Sequence, residues 1–392
     1  MNYILVDPPS IERFYPFTLT RPFGEMRVFG GTIKEIWEKY LGCEVSYLTD
    51  PHLSDLYTIN LSKKTDNIFI PAWYLPRYQA TPFNAYKKSP EFDRSFLAVN
   101  LDWNKAFEAK QRDSNSFREY FAAEIILNSE FDSDNSINFS LPESYFNEWR
   151  PSVFFDMINL YLKDVHHHEI TLNSNVNCSE HPFFNDDDGP IIIEEDVTIM
   201  EGAMIRGPVH ICKGSTIKMG AKIYGPTVIG PYCKVGGEVS NCVFLGYSNK
   251  AHEGFLGHSI IGEWCNIGAG TSNSNLKNDY GTVKMWDYQA KKFKDSGHQF
   301  LGLYMGDHSK CAINTSFNTG TTVGVNCNIF GAGFPRNFIP SFSWGGAQGV
   351  KPYDFEKAIS VAEIVMARRG VKLTPDYIDM LRSVHDITSK MK

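Results

Sequence analysis

The feature that most constrains this chain is an apolar residue that recurs at every sixth position. The phase returns around residues 261–267 and again around 323–329. A period of six fits neither the 3.6-residue turn of an α-helix nor the two-residue alternation of a β-strand. It predicts a solenoid, in which each coil buries its apolar side against the next. The unbroken run is Ile193, Ile199, Ile205, Ile211, Ile217, Ile223, Ile229 and Val235.

The chain divides into four segments by its patterns. Residues 1–150 mix short apolar runs such as NYILVD with the helical pattern GTIKEIWEKYLG, which predicts an α/β domain with a largely parallel sheet. Residues 151–188 are predicted to be a connector. The repeats occupy 189–345, and a polar, lysine-rich insertion interrupts them at 272–300. The pattern of residues 346–392 predicts two helices. The first begins near Asp354 and ends at Gly370, and the second begins at Thr374 and Pro375.

Composition narrows the class of protein. A formal net charge of −7 argues against nucleic-acid binding as the main function. The eight cysteines form no CxxC pair, so we expect reduced core residues of a cytoplasmic protein. The N-terminus MNYILVDPPS does not resemble a signal peptide, and no apolar run approaches the ~18–20 residues of a membrane span. We therefore expect a soluble cytoplasmic protein that acts on small molecules.

Two stretches of the repeat region carry a family resemblance. GPIIIEEDVTIMEGAMIRGPV and YSNKAHEGFLGHSIIGEWCNIGAGTSNSNLKND resemble left-handed β-helix acetyltransferases, in particular the bifunctional uridylyltransferase/glucosamine-1-phosphate acetyltransferases. FTLTRPFGEMRVFGG, GDHSKCAINTSFNTGTTVG and IFGAGFPRNFIPSFSWGG resemble a shorter bacterial form of that family. The resemblance implies a diverged nucleotidyltransferase-like first domain, a left-handed parallel β-helix, a homotrimer and acetyl-CoA as the acetyl donor.

The resemblance also implies residues for acetyl transfer. That reaction needs a deprotonated amine and a stabilised oxyanion. His252 matches the family's general base, and Glu238 matches the acid that orients this base. Asn266 and Asn275 match asparagines that contact the acetyl-donor region and the substrate amine. A structural interpretation stands beside this one, because histidines and asparagines often occupy solenoid corners.

The predicted acceptor is an amino-sugar 1-phosphate, with glucosamine 1-phosphate as the first choice. Three positions depart from the family pattern and weaken that choice. Phe255 replaces a tyrosine, Ser240 replaces a lysine, and the arginine that holds the sugar phosphate falls near Lys222. Lysine pairs with phosphate only as a point charge. Further cations that could compensate are Arg206, Lys277 and Lys284.

For acetyl-CoA, the resemblance points to the later coils. Small residues there would suit a narrow channel for the pantetheine arm, although ordinary tight packing explains them nearly as well. Arg336 could meet a coenzyme A phosphate. The pair Arg368–Arg369 is predicted to be a solvated surface, with phosphate binding as the alternative. The other donor candidates are Asn314, Thr315, Gly331 and Ala332.

The first domain lacks the Gly-rich phosphate loop that usually follows the first strand of nucleotidyltransferases. Arg21 and Arg27 are candidates for nucleotide binding. They could equally hold the loop in place by salt bridges to Glu25 or Asp7. Uridylyl transfer would need Mg²⁺ held by carboxylates, for which Asp102 is a weak candidate. An active UTP-using domain and a degenerate remnant both stay open.

Two other functions compete with acetyl transfer. A metal-dependent hydro-lyase of the carbonic anhydrase type could use the same fold, if three histidines met around zinc at a subunit interface. The second alternative is a non-catalytic scaffold. The histidines that keep the first alternative open are His210, His252, His258 and His308.

Overall fold

The computed structural model describes residues 1–8, 10–65, 67–73, 75–76, 99–101, 136–137, 158, 169–179 and 181–391. The chain forms two compact units. Met1–Ile11 and Arg21–Trp149 make the first, and Glu12–Thr20 and Arg150–Lys392 make the second. None of the helices in the described ranges is long and apolar enough to cross a membrane.

The first unit contains a sheet in the order β4-β1-β5-β7, parallel except for β7. Helix α1 (Ile33–Leu41) begins with a capping box, in which Thr32 and Glu35 each accept a hydrogen bond from the other's backbone N–H. It ends at Gly42 in the left-handed conformation, as predicted. The strands are β1 (Asn2–Val6), β2 (Arg27–Val28), β3 (Gly31–Thr32), β4 (Val45–Leu48), β5 (Asn67–Pro71), β6 (Leu75–Pro76), β7 (Val99–Leu101) and β8 (Ser136–Ile137). Short 3-10 helices span Ile11–Phe14, Phe17–Leu19, Phe23–Glu25 and Pro51–Leu53.

The second unit is a parallel β-helix with three faces. The first face consists of β9 (Ile170–Leu172), β12 (Ile191–Ile193), β15 (Val209–Ile211), β18 (Thr227–Ile229), β20 (Glu238–Gly246), β22 (Phe255–Glu263), β27 (Leu303–Met305), β30 (Thr321–Val323) and β32 (Phe338–Ile339). The second consists of β10 (Asn177–Cys178), β13 (Thr198–Ile199), β16 (Thr216–Ile217), β19 (Lys234–Val235), β21 (Asn249–Lys250), β23 (Asn266–Ile267), β28 (Lys310–Cys311), β31 (Asn328–Ile329), β33 (Ser343–Gly346) and the antiparallel β34 (Gly349–Pro352). The third contains β11 (Phe183–Asn185), β14 (Met204–Arg206), β17 (Lys222–Tyr224), the first parts of β20 and β22, and the pair β24 (Ser272–Asn273) and β29 (Ser316–Phe317).

The six-residue repeat builds the core of this β-helix. Ile193 pairs with Ile211, which pairs with Ile229 one coil further on, so three repeats complete one coil. All eight residues of the run are buried in one continuous apolar cluster. Each such side chain contributes roughly 1.5–3 kcal/mol by leaving water. The predicted α/β region, parallel β-helix and C-terminal helices are therefore confirmed.

The β-helix begins earlier than the sequence predicted. Leu172, Cys178 and Phe184 pair with Ile193, Ile199 and Ile205, respectively, and so form a first coil inside the predicted connector. These three residues keep the six-residue spacing among themselves, but nine positions separate Phe184 from Ile193. The acidic loop 186–188 contains the extra residues. The six-residue spacing therefore does not continue across this loop.

The glycines between the repeats serve two different purposes. Gly202 has a φ of 68°, a backbone angle that a tight corner requires and glycine adopts without strain. Gly225, by contrast, has no positive φ. A side chain there would come within 2.4 Å of the Pro208 backbone in the preceding coil. Close approach of two coils, rather than the backbone angle, requires glycine at this position.

The insertion forms an antiparallel hairpin of β25 (Lys284–Asp287) and β26 (Lys292–Asp295). Trp286 stacks on Phe338 with ring centroids 4.1 Å apart, and this contact holds the hairpin against the last coils. Tyr288 makes an edge contact with Tyr15 from the segment 12–20. That early segment therefore packs on the β-helix unit, which the sequence did not predict.

Two C-terminal helices lie along one corner of the β-helix. Helix α2 (Phe355–Ala367) is capped by Asp354, and α3 (Pro375–Ser389) by Thr374, as predicted. Residues with positive φ stack along this corner in successive coils, and we call them the corner ladder. Tyr377 of α3 hydrogen-bonds His308 at 3.0 Å. The corner ladder consists of Tyr232, Tyr247, Trp264 and His308.

Candidate active site

His252 lies at an exposed corner between β21 and β22. It borders a pocket of about 520 Å³ that Asn249 and Asn266 also line. Lys234, Arg368 and Arg369 complete the polar lining of this pocket, which we call the His252 pocket. Ala251, Ile267, Gly268, Ala269 and Ile313 form the remainder. The structure thus brings together two of the predicted site residues, His252 and Asn266, with cations that the sequence did not single out for this site.

A line of hydrogen bonds connects the C-terminal region to the β-helix within this pocket. Arg369 Nη2 donates to Asn249 Oδ1 at 2.9 Å, and Asn249 Nδ2 donates to Asn266 Oδ1 at 3.4 Å. Asn249 and Asn266 are paired residues of neighbouring strands, and Lys234 pairs with Asn249 on the other side. The predicted solvated surface at Arg368–Arg369 therefore belongs to a pocket wall.

The electrostatic field of the pocket is positive. The pKa of Lys234 is lowered, first by the charge of Arg369, then by burial, and further by Lys218 and Arg368. None of the described residues that line the pocket is an aspartate or a glutamate. Such a field favours an anionic ligand.

Lys250 supports the corner that carries His252. Its side chain is buried, and its Nζ donates hydrogen bonds to the carbonyl oxygens of Gly236 at 3.0 Å and of His252. Burial lowers the pKa of Lys250 to about 8, although Glu253, Cys242 and Cys311 act to raise it. The lysine thus ties two successive coils together at the position of the predicted base.

Three other predicted residues form one column on the third face. Lys222 pairs with Glu238, and Glu238 pairs with Phe255. Glu238 N also donates to Gly254 O at 3.3 Å, two residues after His252. In the described part of the chain, the Glu238 carboxylate and the His252 imidazole share no hydrogen bond. Orientation of His252 by Glu238 stays a prediction.

Asn275 contacts His258 and not the predicted base His252 in the described part of the chain. Its Nδ2 donates to His258 Nδ1 at 2.9 Å, and the His258 ring stacks on Phe300. Burial, with a smaller effect of His298, lowers the pKa of His258 to about 4. An amide N–H can bond this nitrogen only when the nitrogen carries no proton. Asn275 therefore holds His258 neutral, and the Asn275 amide and the Phe255 ring both lie beside Gly257.

The additional cations lie outside the His252 pocket. Arg206 pairs with Asp188, and Lys277 pairs with Asp279 at 3.1 Å. Lys284 is exposed on the hairpin strand β25.

The predicted donor-binding residues occupy the later coils. Asn314 lies at a corner with a φ of 56° beside Ile313 of the pocket, and Thr315 is buried with its hydroxyl on Ala312 O. Gly331 and Ala332 are exposed, and Arg336 is also exposed. The structure brings only Asn314 next to the pocket lining.

In the first unit, the two predicted nucleotide-binding arginines are buried. Arg27 pairs with Glu35 at 3.4 Å. Asp7 accepts from Phe23 N at 2.7 Å and from Thr49 Oγ1, and Glu25 accepts from Tyr47 OH. Arg21 is 4 % exposed. Asp102 lies outside the described residues.

The four histidines considered for a zinc site do not converge. His210 Nε2 donates to Glu194 at 2.9 Å, whereas His258 and His308 contact Asn275 and Tyr377. Within the described ranges, one group of potential ligand atoms lies within 4.8 Å of one another. That group consists of Glu194, His210 and Cys212.

Comparison with known proteins gives matches to parts of the chain. Residues 3–125 match a family described as sugar nucleotidyl transferase. A bifunctional sugar-1-phosphate nucleotidylyltransferase/acetyltransferase of Sulfurisphaera tokodaii is 35% identical over 144 residues, which cover 36% of this chain and 35% of that protein. The match thus spans about a third of the length of this relative.

Two solved structures also align with the chain. A hexapeptide transferase family protein from Anaplasma phagocytophilum is 12% identical, with a TM-score of 0.21, over 57% of this chain and 95% of that one. LpxA, a UDP-N-acetylglucosamine acyltransferase from Bacteroides fragilis, is 13% identical, with a TM-score of 0.19, over 54% and 97%. The resemblance predicted from the sequence is confirmed: the chain is similar to sugar nucleotidyl transferases over residues 3–125 and to a bifunctional sugar-1-phosphate nucleotidylyltransferase/acetyltransferase.

Proposed function

We propose that this chain is an acetyltransferase that moves an acetyl group from acetyl-CoA to the amine of an amino-sugar 1-phosphate, with glucosamine 1-phosphate as the acceptor. The observation that carries the proposal is the His252 pocket, where an accessible imidazole stands beside Asn266 and several cations. The Sulfurisphaera tokodaii relative, a bifunctional sugar-1-phosphate nucleotidylyltransferase/acetyltransferase, supports the same chemistry.

In the proposed reaction, His252 takes a proton from the amine as the nitrogen attacks the thioester carbonyl carbon. A C–N bond forms, the C–S bond breaks, and the proton passes from His252 to the departing thiolate. Asn266 would hold the acyl donor through its uncharged amide, which can both donate and accept. General base catalysis of this kind contributes typically about 10²–10⁴-fold to the rate.

We infer a second activity for the first unit, namely uridylyl transfer from UTP with Mg²⁺, which would convert the acetylated product into UDP-N-acetylglucosamine. The match of residues 3–125 to the sugar nucleotidyl transferase family supports this activity. The burial of Arg21 and Arg27 favours a structural role for both arginines over direct nucleotide binding. A homotrimer is part of the proposal, and light scattering that finds a monomer would contradict it.

The central experiment incubates the purified protein with glucosamine 1-phosphate, acetyl-CoA, UTP and Mg²⁺. Mass spectrometry then separates acetylated sugar phosphate from UDP-sugar, so each activity is scored independently. His252→Ala should lower acetyl transfer by at least about 100-fold. His181→Ala is the matched control, because His181 is also exposed but lies in the first coil. Acetyl transfer that is equal in both variants would exclude His252 as the base.

A further inference from the structure

The end of helix α2 delivers two adjacent guanidinium groups to the β-helix. The helix ends with Arg368, whose N–H still bonds Ile364 O at 3.2 Å, and Gly370 then adopts a φ of 71°. Arg368 and Arg369 thus lie at the turn where the chain leaves the helix. Because Arg369 is hydrogen-bonded to Asn249, this turn is fixed against β21 and does not hang free.

These arginines lack the carboxylate partners that comparable arginines have. In the described ranges, neither Arg368 nor Arg369 forms an ion pair with an aspartate or a glutamate. By contrast, Arg206 pairs with Asp188, and Arg382 of the neighbouring helix pairs with Glu356. Lys234 adds a third positive charge to the same pocket. Like charges held this close repel one another, and a bound anion would offset that repulsion.

The geometry of the donors points to a phosphoryl group in particular. Two guanidinium forks can each bond two oxygens of a tetrahedral phosphate, and a lysine adds a point charge. Three cations match a dianion better than the single charge of a carboxylate. Asn249 has its carbonyl oxygen occupied by Arg369, so the guanidinium is held in place before any ligand arrives.

We propose that Arg368, Arg369 and Lys234 form the phosphate-binding wall of the His252 pocket, so that the C-terminal helix supplies part of the substrate site. This proposal rests on the proposed function for the identity of the ligand. The phosphate belongs either to the amino-sugar 1-phosphate or to coenzyme A. Either source brings a phosphoryl group into the His252 pocket, so the C-terminal helix selects phosphorylated ligands.

The test measures binding by calorimetry, without turnover, for the wild type and the double variant Arg368→Gln/Arg369→Gln. The probes are coenzyme A, 3′-dephospho-coenzyme A, glucosamine 1-phosphate and glucosamine. Loss of hydrogen bonds to a charged group predicts that the affinity for one of the phosphorylated probes falls about 10- to 100-fold. The probe whose affinity falls identifies the source of the phosphate. Glucosamine, which has no phosphate, should bind both proteins equally.

Two further variants keep the result interpretable. Lys234 lies on the second face of the β-helix and not on the helix itself. Lys234→Gln should therefore lower the affinity for the same probe, even if the helix were disturbed in the double variant. Arg382→Gln removes an arginine that is 52% exposed on α3 and should leave all affinities unchanged. Equal affinities of wild type and double variant for coenzyme A and for glucosamine 1-phosphate would overturn the proposal. If acetyl transfer is absent but the affinity difference is present, only the proposed function fails.

Discussion

Thr20 Oγ1 donates a hydrogen bond of 2.8 Å to the carboxylate of Asp307, although 287 residues separate the two along the chain. Both residues are buried. The other carboxylate oxygen accepts from Glu263 N at 2.9 Å. Together these bonds join the segment 12–20 to two coils of the β-helix, and they explain why this early segment is part of the second unit.

Thr20→Val should therefore destabilise the β-helix unit. The substitution keeps the shape of the side chain but removes a hydrogen bond to a buried carboxylate, which typically costs about 1.5–3 kcal/mol. Urea unfolding followed by far-UV circular dichroism measures the loss. Thr282→Val is the matched control, because its hydroxyl bonds Asp295 at an exposed site. Equal shifts in the two variants would contradict a special role for the Thr20 bond.

The repeat core predicts a second difference in stability. Ile211 is fully buried, and its replacement by alanine should lower the free energy of unfolding by about 2–5 kcal/mol, since a cavity stays behind. Ile364 on α2 is 61% exposed, so Ile364→Ala should change the free energy of unfolding by less than about 0.5 kcal/mol. Thermal unfolding of both variants under one condition compares them directly. A small effect at Ile211 would argue against a close-packed interior.

Acidification should weaken the protein through His258. Burial and His298 lower its pKa from 6.5 to about 4, so the unfolded chain takes up a proton before the folded one does. Stability is therefore full above pH 6.5 and is lost as the pH falls towards 4, by about 3 kcal/mol. His258→Gln should flatten this part of the profile of unfolding free energy against pH. His181→Gln should leave its shape unchanged, and an unchanged profile in His258→Gln would reject the assignment.

Lys250→Met tests how the corner at His252 is held. Without the Nζ bonds to Gly236 O and His252 O, the imidazole loses its fixed position, so we expect kcat of acetyl transfer to fall by about tenfold or more. The circular dichroism spectrum should stay that of the wild type. Lys292→Met, at an exposed position on the hairpin, is the control. Full activity in Lys250→Met would show that the corner does not depend on this lysine.

The six-residue pattern was sufficient to predict the core and the coil because it is a local property of the chain. The first coil escaped notice because three extra residues near 186–188 shift the phase between Phe184 and Ile193. The glycines looked alike in sequence, yet Gly202 needs its backbone angle and Gly225 needs the absence of a side chain. Which of these applies depends on the neighbouring coil.

The candidate site was predicted in part. The positions of His252 and Asn266 follow from neighbouring repeats, so a resemblance in the repeats was enough to pair them. Phosphate binding by Arg368 and Arg369 was open as the alternative, but their place beside Asn249 could not be predicted, because it depends on where a helix docks more than a hundred residues later in the chain. Asn275 likewise meets His258 only through the path of the chain after β24.

The residues of the corner ladder lie in successive coils, so distances along the β-helix come in multiples of the spacing between coils. Each coil advances by the spacing of neighbouring strands, about 4.8 Å. Helix α2 starts beside Phe342 in the last coils and ends beside Asn249 several coils earlier. The length of the helix must therefore match the distance that these coils span along the β-helix. Deleting one complete coil, residues 310–327, would slide Arg369 past Asn249 by more than the 2.9 Å that now joins them. Evolution of this chain by loss or duplication of a coil would thus have to change the helix at the same time.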